Sequence, residues 1–302
     1  MSNMKITSQN VAAIGLGSMG YGIAASVLRG GHKVWGVDIN AEMMTRFVND
    51  GGQSGNLSDA AFDLDVVIVA VLNASQTESV LFGDQGIVKS LHEGATIVSC
   101  ATVPPAFAKD MAKRCAIFGV HYLDAPISGG SFKAAAGKLS IMASGTIEAF
   151  ATTKFVLDDI SETVFALGNE AGAGSAMKAV NQLLAGVHIA VMAEALTFGI
   201  TQGVTPDKFV EVISKCAGTS WMLENRAPHI VAGDYTPHSS INIWPKDLGI
   251  VLDIAKGAHF SVPITTAALQ QFTAAAAMGL GDEDDAAVAK VYAKNVGIKL
   301  PV

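Results

Sequence analysis

The sequence predicts an α/β fold, with a doubly wound sheet in the amino-terminal half and an all-helical domain after it. Up to residue 171, short β-branched runs alternate with helical patterns, and such alternation implies parallel strands joined by right-handed crossovers. From residue 172 onward, strand-like runs give way to long segments rich in Ala, Leu and Met, and no Pro/Gly/Ser-rich linker separates the halves. We therefore expect domains at residues 1–171 and 172–302, joined directly by a long helix that begins near Gly174.

The strands of the first domain are predicted from runs of β-branched and aliphatic residues. These runs are residues 11–14, 34–37, 66–72, 95–98, 120–123, 139–143 and 163–165. Helices are predicted to follow the first two runs, starting near Met19 and at Ala41. The third run is apolar without interruption, which is typical of a strand covered on both faces.

Two helix starts are predicted in the second domain. Thr205 before Pro206 supplies a hydroxyl cap and a proline at the first helical position. The acidic run 282–285 complements a helix dipole, and we expect a solvated first turn there rather than a partner site. The apolar stretch 183–200 approaches the length of a membrane span, but it contains a histidine and a glutamate, so a buried helix is favoured.

The composition excludes several classes of protein. Of the 302 residues, 50% are hydrophobic and 16% are charged, which provides for substantial cores and excludes disorder as the main state. The net charge of -7 has the wrong sign for a general affinity for nucleic acid or anionic lipid. Cys100, Cys115 and Cys216 are widely spaced, so we expect reduced thiols and no metal site. Residues 1–5 lack the cationic and apolar parts of a signal peptide, and we expect a cytoplasmic protein.

A glycine-rich motif follows the first predicted strand. Its sequence, Gly15-Leu16-Gly17-Ser18-Met19-Gly20, has G-x-G-x-x-G spacing between a strand and a helix, the Rossmann-type context in which this motif binds a dinucleotide. Gly15 permits the tight turn, Gly17 lets a pyrophosphate approach the backbone, and Gly20 lets the helix pack on the strand. We therefore expect a dinucleotide cofactor at this turn.

Asp38 follows the second predicted strand and indicates which dinucleotide binds. A carboxylate at this position accepts hydrogen bonds from ribose hydroxyls and repels a 2′-phosphate, so NAD is favoured over NADP. The alternative is that Asp38 only caps the helix that starts at Ala41. The chemistry of short-chain dehydrogenases is excluded, because no tyrosine has a lysine four residues after it.

Three segments, in this order and spacing, resemble the β-hydroxyacid dehydrogenase family, which includes 3-hydroxyisobutyrate dehydrogenase and tartronate semialdehyde reductase. They are the glycine-rich motif with its downstream Gly30-Gly31-His32, the stretch 124–130 and the stretch 172–182. A narrower likeness to the L-threonate dehydrogenase branch lies in the stretches 73–78, 220–226, 228–230, 233–237 and 246–251. The resemblance covers essentially the whole chain. It implies an NAD-dependent enzyme that oxidises a hydroxy acid by hydride transfer.

The chemistry of such an oxidation agrees with residues in these segments. Ser128, Gly129 and Gly130 follow a strand and offer a hydroxyl and unobstructed backbone N–H groups as a cradle for the substrate carboxylate. The alternative is a turn that simply needs glycine. Lys178 lies in an apolar helical segment, where burial would lower the pKa of its amine and let it take the hydroxyl proton as hydride leaves. The alternative is a lysine whose side chain reaches the surface.

Two amides and a short polar segment are candidates for substrate binding. Asn181 and Gln182 follow Lys178 by three and four residues, so both can lie near its side of the helix. The family often has asparagine where this chain has Gln182, so which amide binds substrate stays open. The segment 221–226 contains aromatic and polar groups suited to a polyhydroxylated substrate.

The resemblance also implies residues around the cofactor. Leu72, Asn73 and Thr102 are implied to border it. Lys246 is implied to reach from the helical domain toward the substrate and the nicotinamide end. Its alternative role is one half of a surface ion pair with Asp247.

The resemblance implies L-threonate as substrate, oxidised to its 2-oxo acid. Tartronate semialdehyde and 3-hydroxyisobutyrate chemistry are the enzymatic alternatives. A non-catalytic nucleotide-sensing module is the alternative from another class, and the presence of Lys178 argues against it. A homodimer or homotetramer is also implied, with no nucleic acid or membrane partner.

Overall fold

The computed structural model of the protein describes residues 8–53 and 55–301, so residues 1–5 considered above lie outside it. The chain forms two compact units, one running to Lys178 and the other beginning at Ala179. The domain boundary expected at residue 172 stays a prediction.

A five-stranded parallel sheet forms the centre of the first unit within the described residues. Its strands are β1 (Asn10–Ile14), β2 (Lys33–Val37), β3 (Val66–Val69), β4 (Thr96–Ser99) and β5 (His121–Asp124). They lie in the order β2-β1-β3-β4-β5, and each neighbouring pair is parallel. The Rossmann-type sheet is therefore confirmed, and every residue of β3 is buried, as its apolar run predicts. The direction of winding changes between β1 and β3, where ligands of such sheets bind at the carboxyl ends of the strands.

Helices cover both faces of this sheet. They are α1 (Gly20–Arg29), α2 (Ala41–Asn49), α3 (Leu57–Ala60), α4 (Ala74–Phe82), α5 (Pro105–Ala116), α6 (Gly130–Ala136) and α7 (Ile147–Ile160), with 3-10 turns at Ala61–Asp63 and Ile87–Ser90. One core cluster contains Ile23, Phe47 and Ile141, and another contains Leu81, Ile97 and Met111. The helices thus cover the sheet with apolar side chains on both sides.

A second, three-stranded sheet follows, formed by β6 (Ile127–Ser128), β7 (Leu139–Ala143) and β8 (Ser161–Ala166). β7 and β8 are parallel, whereas β6 and β7 are antiparallel. The parallel pairing predicted for this half therefore holds for the main sheet and is wrong for β6. A strand of two residues has no hydrophobic period from which to predict it.

The second unit is helical, as predicted. α8 (Ala173–Thr201) crosses the boundary between the units, and α9 (Pro206–Ile213), α10 (Trp221–Ala232), α11 (Ile243–Gly257), α12 (Pro263–Ala275) and α13 (Ala289–Val296) follow, with a π-helical turn at Ala276–Leu280 and a 3-10 turn at Asp285–Val288. Thr205 caps α9 as predicted, because its hydroxyl accepts a hydrogen bond from the Lys208 N–H. Trp244 stacks on Phe272 in the core, at 5.4 Å between ring centroids.

Among the described residues, one helix, α8, has the length and the apolar composition needed to cross a membrane. Core helices of soluble proteins have the same length and composition. Ile189, Met192 and Leu196 of α8 are buried in the core of the second unit, so one face of the helix is buried as expected. Leu184, Val191 and Phe198 of the same helix are half or more exposed, so the helix is not buried on all sides.

The acidic run at 282–285 differs from the prediction. Asp284 caps the 3-10 turn by accepting a hydrogen bond from the Ala286 N–H, but Asp284 and Asp285 are fully buried rather than solvated. Asp285 accepts hydrogen bonds from Arg226 Nε at 2.6 Å and Trp244 Nε1 at 3.0 Å. These partners compensate the loss of water around the carboxylate, and they come from distant parts of the sequence.

Candidate active site

The glycine-rich turn joins β1 to α1 at the point where the winding of the sheet changes. Gly15 has a φ of +94°, and a Cβ there would lie 2.6 Å from the Ala70 carbonyl oxygen, so the turn packs against the chain leaving β3. A Cβ on Gly20 would overlap the Gly15 carbonyl, whereas nothing lies within 4 Å of the position of a Cβ on Gly17. Gly15 and Gly20 therefore close the turn, and Gly17 leaves its backbone accessible to a phosphate group. Ser18 is exposed and Met19 half-buried beside it.

Asp38 connects the end of β2 to this turn. Its carboxylate accepts hydrogen bonds from the Leu16 N–H at 2.6 Å and the Asn40 N–H at 2.8 Å. The cap of α2 is Asn40, whose side chain accepts from the Glu42 N–H, so the alternative that Asp38 caps this helix is wrong. The side chain of Leu16 is fully buried in the core and anchors the turn to the sheet. A half-buried carboxylate beside a dinucleotide turn fits the ribose end of NAD.

Leu72, Asn73 and Thr102 follow β3 and β4, at the same edge of the sheet as the glycine-rich turn. Asn73 caps α4 by accepting a hydrogen bond from the Gln76 N–H, and the Gln76 side chain accepts one from the Leu72 N–H at 2.9 Å. These bonds end β3 at Val69, three residues earlier than predicted. The chain from β3 to α4 is thereby fixed next to the dinucleotide turn.

The expected carboxylate cradle lies between β6 and α6. Ser128 is half-buried at the end of β6, and Gly129 and Gly130 have φ angles of +134° and +75°. A Cβ on Gly129 would lie 2.9 Å from the Cβ of Lys133, so a side chain there is disfavoured by both backbone conformation and space. The segment therefore presents the Ser128 hydroxyl and the N–H groups of two glycines that carry no side chain of their own.

Lys178 lies in the second turn of α8 and is 8% exposed, so the alternative of a surface lysine is wrong. Its Nζ donates a hydrogen bond to the Ile127 carbonyl oxygen at 2.8 Å. Ile127 immediately precedes Ser128 in the chain. The structure therefore brings the amine and the cradle together within the first unit.

Asp124, at the end of β5, is a buried acid to which the sequence assigned no role. It accepts hydrogen bonds from Gly172, Ser175 and Ser144, and burial raises the pKa of its carboxyl while these bonds act in the opposite direction. Its position at the head of the stretch 124–130, next to a predicted strand end, was the signal that could have identified it.

The second unit contains the other candidate polar residues. Asn181 Nδ2 donates to Gln182 Oε1 at 2.9 Å, and Gln182 Nε2 donates to Asp247 Oδ2 at 2.5 Å. Lys246 Nζ lies 2.5 Å from Asp247 Oδ1. Asp247 is only 2% exposed, so its pair with Lys246 exists but is not a surface pair. Both amides and the ammonium group thus belong to one network centred on Asp247, which sequence reasoning considered only as a surface partner.

The segment 221–226 divides between solvent and core. Trp221 is exposed at the start of α10, and Glu224 accepts a hydrogen bond from the Thr219 hydroxyl. Arg226 is buried, and its guanidinium pairs with Asp285 and with the side chain of Asn225. Burial raises the pKa of Asp285 to about 6, against the opposite effect of the Arg226 charge. Arg226 therefore supports the interior of the second unit.

The described residues contain no group of three or more His, Cys, Asp or Glu side chains that could hold a metal ion. They do contain a turn and a carboxylate that fit a nicotinamide dinucleotide, and a buried amine that fits a proton acceptor.

Comparison with known proteins places these features in context. Residues 10–168 match the family model of the NAD binding domain of 6-phosphogluconate dehydrogenase, and residues 172–292 match the NAD-binding model of NADP-dependent 3-hydroxyisobutyrate dehydrogenase. The L-threonate dehydrogenase of Cupriavidus necator is 46% identical over 97% of this chain and 98% of its own length. The L-threonate dehydrogenase of Escherichia coli K12 is 44% identical over 99% of both chains. The crystal structure of 3-hydroxyisobutyrate dehydrogenase from Salmonella typhimurium superposes with a TM-score of 0.89 at 40% identity, covering 94% of this chain and 100% of that one.

Proposed function

The chain belongs to the 3-hydroxyisobutyrate dehydrogenase family of NAD-binding hydroxy-acid dehydrogenases, and we propose that it oxidises L-threonate at C2 to the 2-oxo acid with NAD. The observation that carries this proposal is the 2.8 Å hydrogen bond from Lys178 Nζ to the carbonyl of Ile127, which holds the amine beside Ser128. Five L-threonate dehydrogenases that are 41–46% identical over at least 97% of the chain support the choice of substrate.

In the proposed reaction, the residues of the first unit divide the work. Ser128, Gly129 and Gly130 hold the substrate carboxylate through a hydroxyl and backbone N–H groups. Lys178 accepts the proton of the C2 hydroxyl as the C2–H bond breaks and the C2–O double bond forms. A bound nicotinamide ring supplies the carbon that accepts the hydride. Charge and atoms then balance, because the substrate loses one hydride and one proton.

We assign the cofactor to the turn at Gly15, Gly17 and Gly20, with Asp38 at the adenosine ribose. The carboxylate of Asp38 disfavours a 2′-phosphate, so we propose NAD rather than NADP although one matching family model carries NADP in its description. The remaining candidate cofactor contacts are Leu16, Ser18, Met19, Leu72, Asn73, Thr102 and Lys246.

Asn181, Gln182 and Lys246 are further proposed substrate contacts, and Lys246 is a proposed contact of the nicotinamide end as well. Their support is the network around Asp247, which orients two amides and an ammonium group. Amide and ammonium groups suit the hydroxyls and carboxylate of a sugar acid.

We further propose a homo-oligomeric, cytoplasmic protein. Leu184, Val191 and Phe198 lie seven residues apart on α8 and are each half or more exposed, which supports self-association through this stripe.

The test is NADH production with purified protein and a panel containing L-threonate, D-threonate, glycerate and 3-hydroxyisobutyrate, with reduction of tartronate semialdehyde measured in the opposite direction. We expect the highest kcat/KM for L-threonate. The likeness to the Salmonella typhimurium structure makes 3-hydroxyisobutyrate the second candidate, and a higher kcat/KM for it would replace the proposal. NAD binding without turnover of any panel member would instead support the sensing module.

A further inference from the structure

Asp124 connects the end of β5 to the start of α8. Its carboxylate is 1% exposed and accepts four hydrogen bonds. Oδ2 accepts from the N–H groups of Gly172 at 2.9 Å and Ser175 at 2.8 Å, and from the Ser144 hydroxyl at 3.3 Å. Oδ1 accepts from the Ser175 hydroxyl at 2.6 Å. One side chain of the sheet thus takes up donors from three separate residues, two of them at the start of α8.

These donors are the ones that a helix start leaves without intrahelical partners. The first N–H groups of an α-helix have no acceptor within the helix, and a negative charge beside them is favourable. The Asp124 carboxylate accepts hydrogen bonds from the N–H groups of Gly172 and Ser175, and the Ser144 hydroxyl oxygen accepts one from the Gly174 N–H at 2.9 Å. The cap of α8 therefore comes from β5 and from the chain after β7, rather than from the residues that precede the helix.

The backbone of this first turn is also in close contact with the strands. A Cβ on Gly174 would lie 2.7 Å from the Asp124 carbonyl oxygen and would overlap the carbonyl oxygen of Met142. Both neighbours are backbone atoms, which cannot move away as a flexible side chain can. The position and rotation of the first turn are therefore fixed by the ends of β5 and β7.

Lys178 follows Ser175 by three residues and lies on the same side of the helix. Its Nζ donates to the carbonyl of Ile127, which is three residues after Asp124. A change in how Asp124 holds Ser175 would shift the helix, and with it the amine, relative to the segment 127–130.

We propose that Asp124 is a positioning residue for the reaction, which holds the first turn of α8 so that the Lys178 amine lies beside the carboxylate cradle. This inference rests on the proposed function, because it assigns Asp124 a role through Lys178. Asp124 itself touches neither substrate nor cofactor in the proposed reaction.

The test compares Asp124→Asn in two backgrounds. Asparagine can keep its oxygen toward the Gly172 and Ser175 N–H groups and turn its amide toward the Ser175 hydroxyl, so the fold is retained while the charge is lost. We expect kcat to fall by about 10- to 100-fold, the scale of a misplaced reacting group, with the affinity for NAD unchanged. In a Lys178→Met background, the same substitution should change the remaining rate by less than about twofold, because the group that it positions is gone.

Two further measurements separate positioning from general destabilisation. Ser175→Ala removes only the 2.6 Å hydrogen bond from the Ser175 hydroxyl to Asp124. Like Asp124→Asn, it should lower kcat, and it should also move the midpoint of the kcat pH profile. Asp65→Asn is the matched control, since Asp65 accepts a backbone N–H at 2.8 Å from Asn10 at the amino end of the sheet. It should leave both kcat and the pH profile unchanged.

The outcomes distinguish this inference from the proposed function. An equal fold-loss from Asp124→Asn in both backgrounds would overturn the positioning role and leave Lys178 as proton acceptor. Full activity of Lys178→Met alone would overturn the proposed proton acceptor, and the positioning role with it.

Discussion

Replacing Lys178 with methionine tests the proposed chemistry most directly. Methionine is similar in length to the lysine stem and apolar, so it can occupy the same buried space without an amine. The substitution removes the hydrogen bond to the Ile127 carbonyl at 2.8 Å.

The structure allows the two effects of this substitution to be estimated separately. Loss of the hydrogen bond to Ile127 lowers the stability by about 1 kcal/mol, and removal of a buried polar amine offsets part of that loss. A change of this size shifts the melting temperature of a unit of this size by roughly 2–4 °C. Loss of a general base lowers kcat by roughly 10²- to 10⁴-fold. Activity should therefore fall far more than stability.

The assay is NADH production at saturating L-threonate and NAD, with NAD affinity from fluorescence titration and melting temperature from calorimetry. Lys178→Arg should restore little, because a guanidinium stays protonated at working pH and cannot accept the proton. Lys154→Met is a matched control, since Lys154 is an exposed lysine of α7 paired with Asp158.

Retention of more than about a tenth of the unmodified rate by Lys178→Met would refute its role as proton acceptor, because that lies well outside the range for a lost general base. Lys178 would then be a residue that orients the substrate, and Lys246 would be the next candidate to test.

Three other substitutions probe the cofactor turn, the cradle and the core of the second unit. Asp38→Ala should narrow the preference for NAD over NADP by about 1–3 kcal/mol, or roughly 5- to 150-fold, as measured by the ratio of kcat/KM values; equal efficiency with both cofactors in the unmodified protein would contradict the role of Asp38. Gly129→Val should raise the substrate KM sharply with NAD affinity nearly unchanged, since a φ of +134° is strained for valine; loss of NAD binding with the fold intact would move this loop to the cofactor. Arg226→Met should destabilise the protein by about 3–5 kcal/mol near neutral pH, because it leaves Asp285 buried without its cation. Asp285 ionises at a pKa of about 6 in the unmodified protein, and its pKa lies higher once the opposing charge of Arg226 is removed. The loss of unfolding free energy relative to the unmodified protein should therefore be small below about pH 6 and grow as pH increases above it, and an equal loss at about pH 5 and about pH 8 would argue against this assignment.

The local parts of the site were predictable from sequence because each depends on neighbours along the chain. The glycine-rich turn is defined by three glycines within six residues, between a strand and a helix that have their own periodic signals. Asp38 is located by the end of β2. Lys178 is conspicuous because burying a charged amine in an apolar helix costs free energy unless the amine is paired or neutral. Residue type and spacing carry this information without any knowledge of long-range contacts.

What tertiary structure alone decided involves residues far apart in the chain. Asp124 meets Ser175 across 51 residues, and Arg226 meets Asp285 across 59. The sequence predicted a solvated acidic turn at 282–285, because an isolated acidic run is most stable in water; only the folded chain supplies the guanidinium and indole N–H that make burial tolerable. In the same way, the two-residue strand β6 is too short to show a period, and it exists because β7 offers it an antiparallel partner. Local spacing therefore determined the kind of chemistry, and long-range packing determined which polar groups hold it in place.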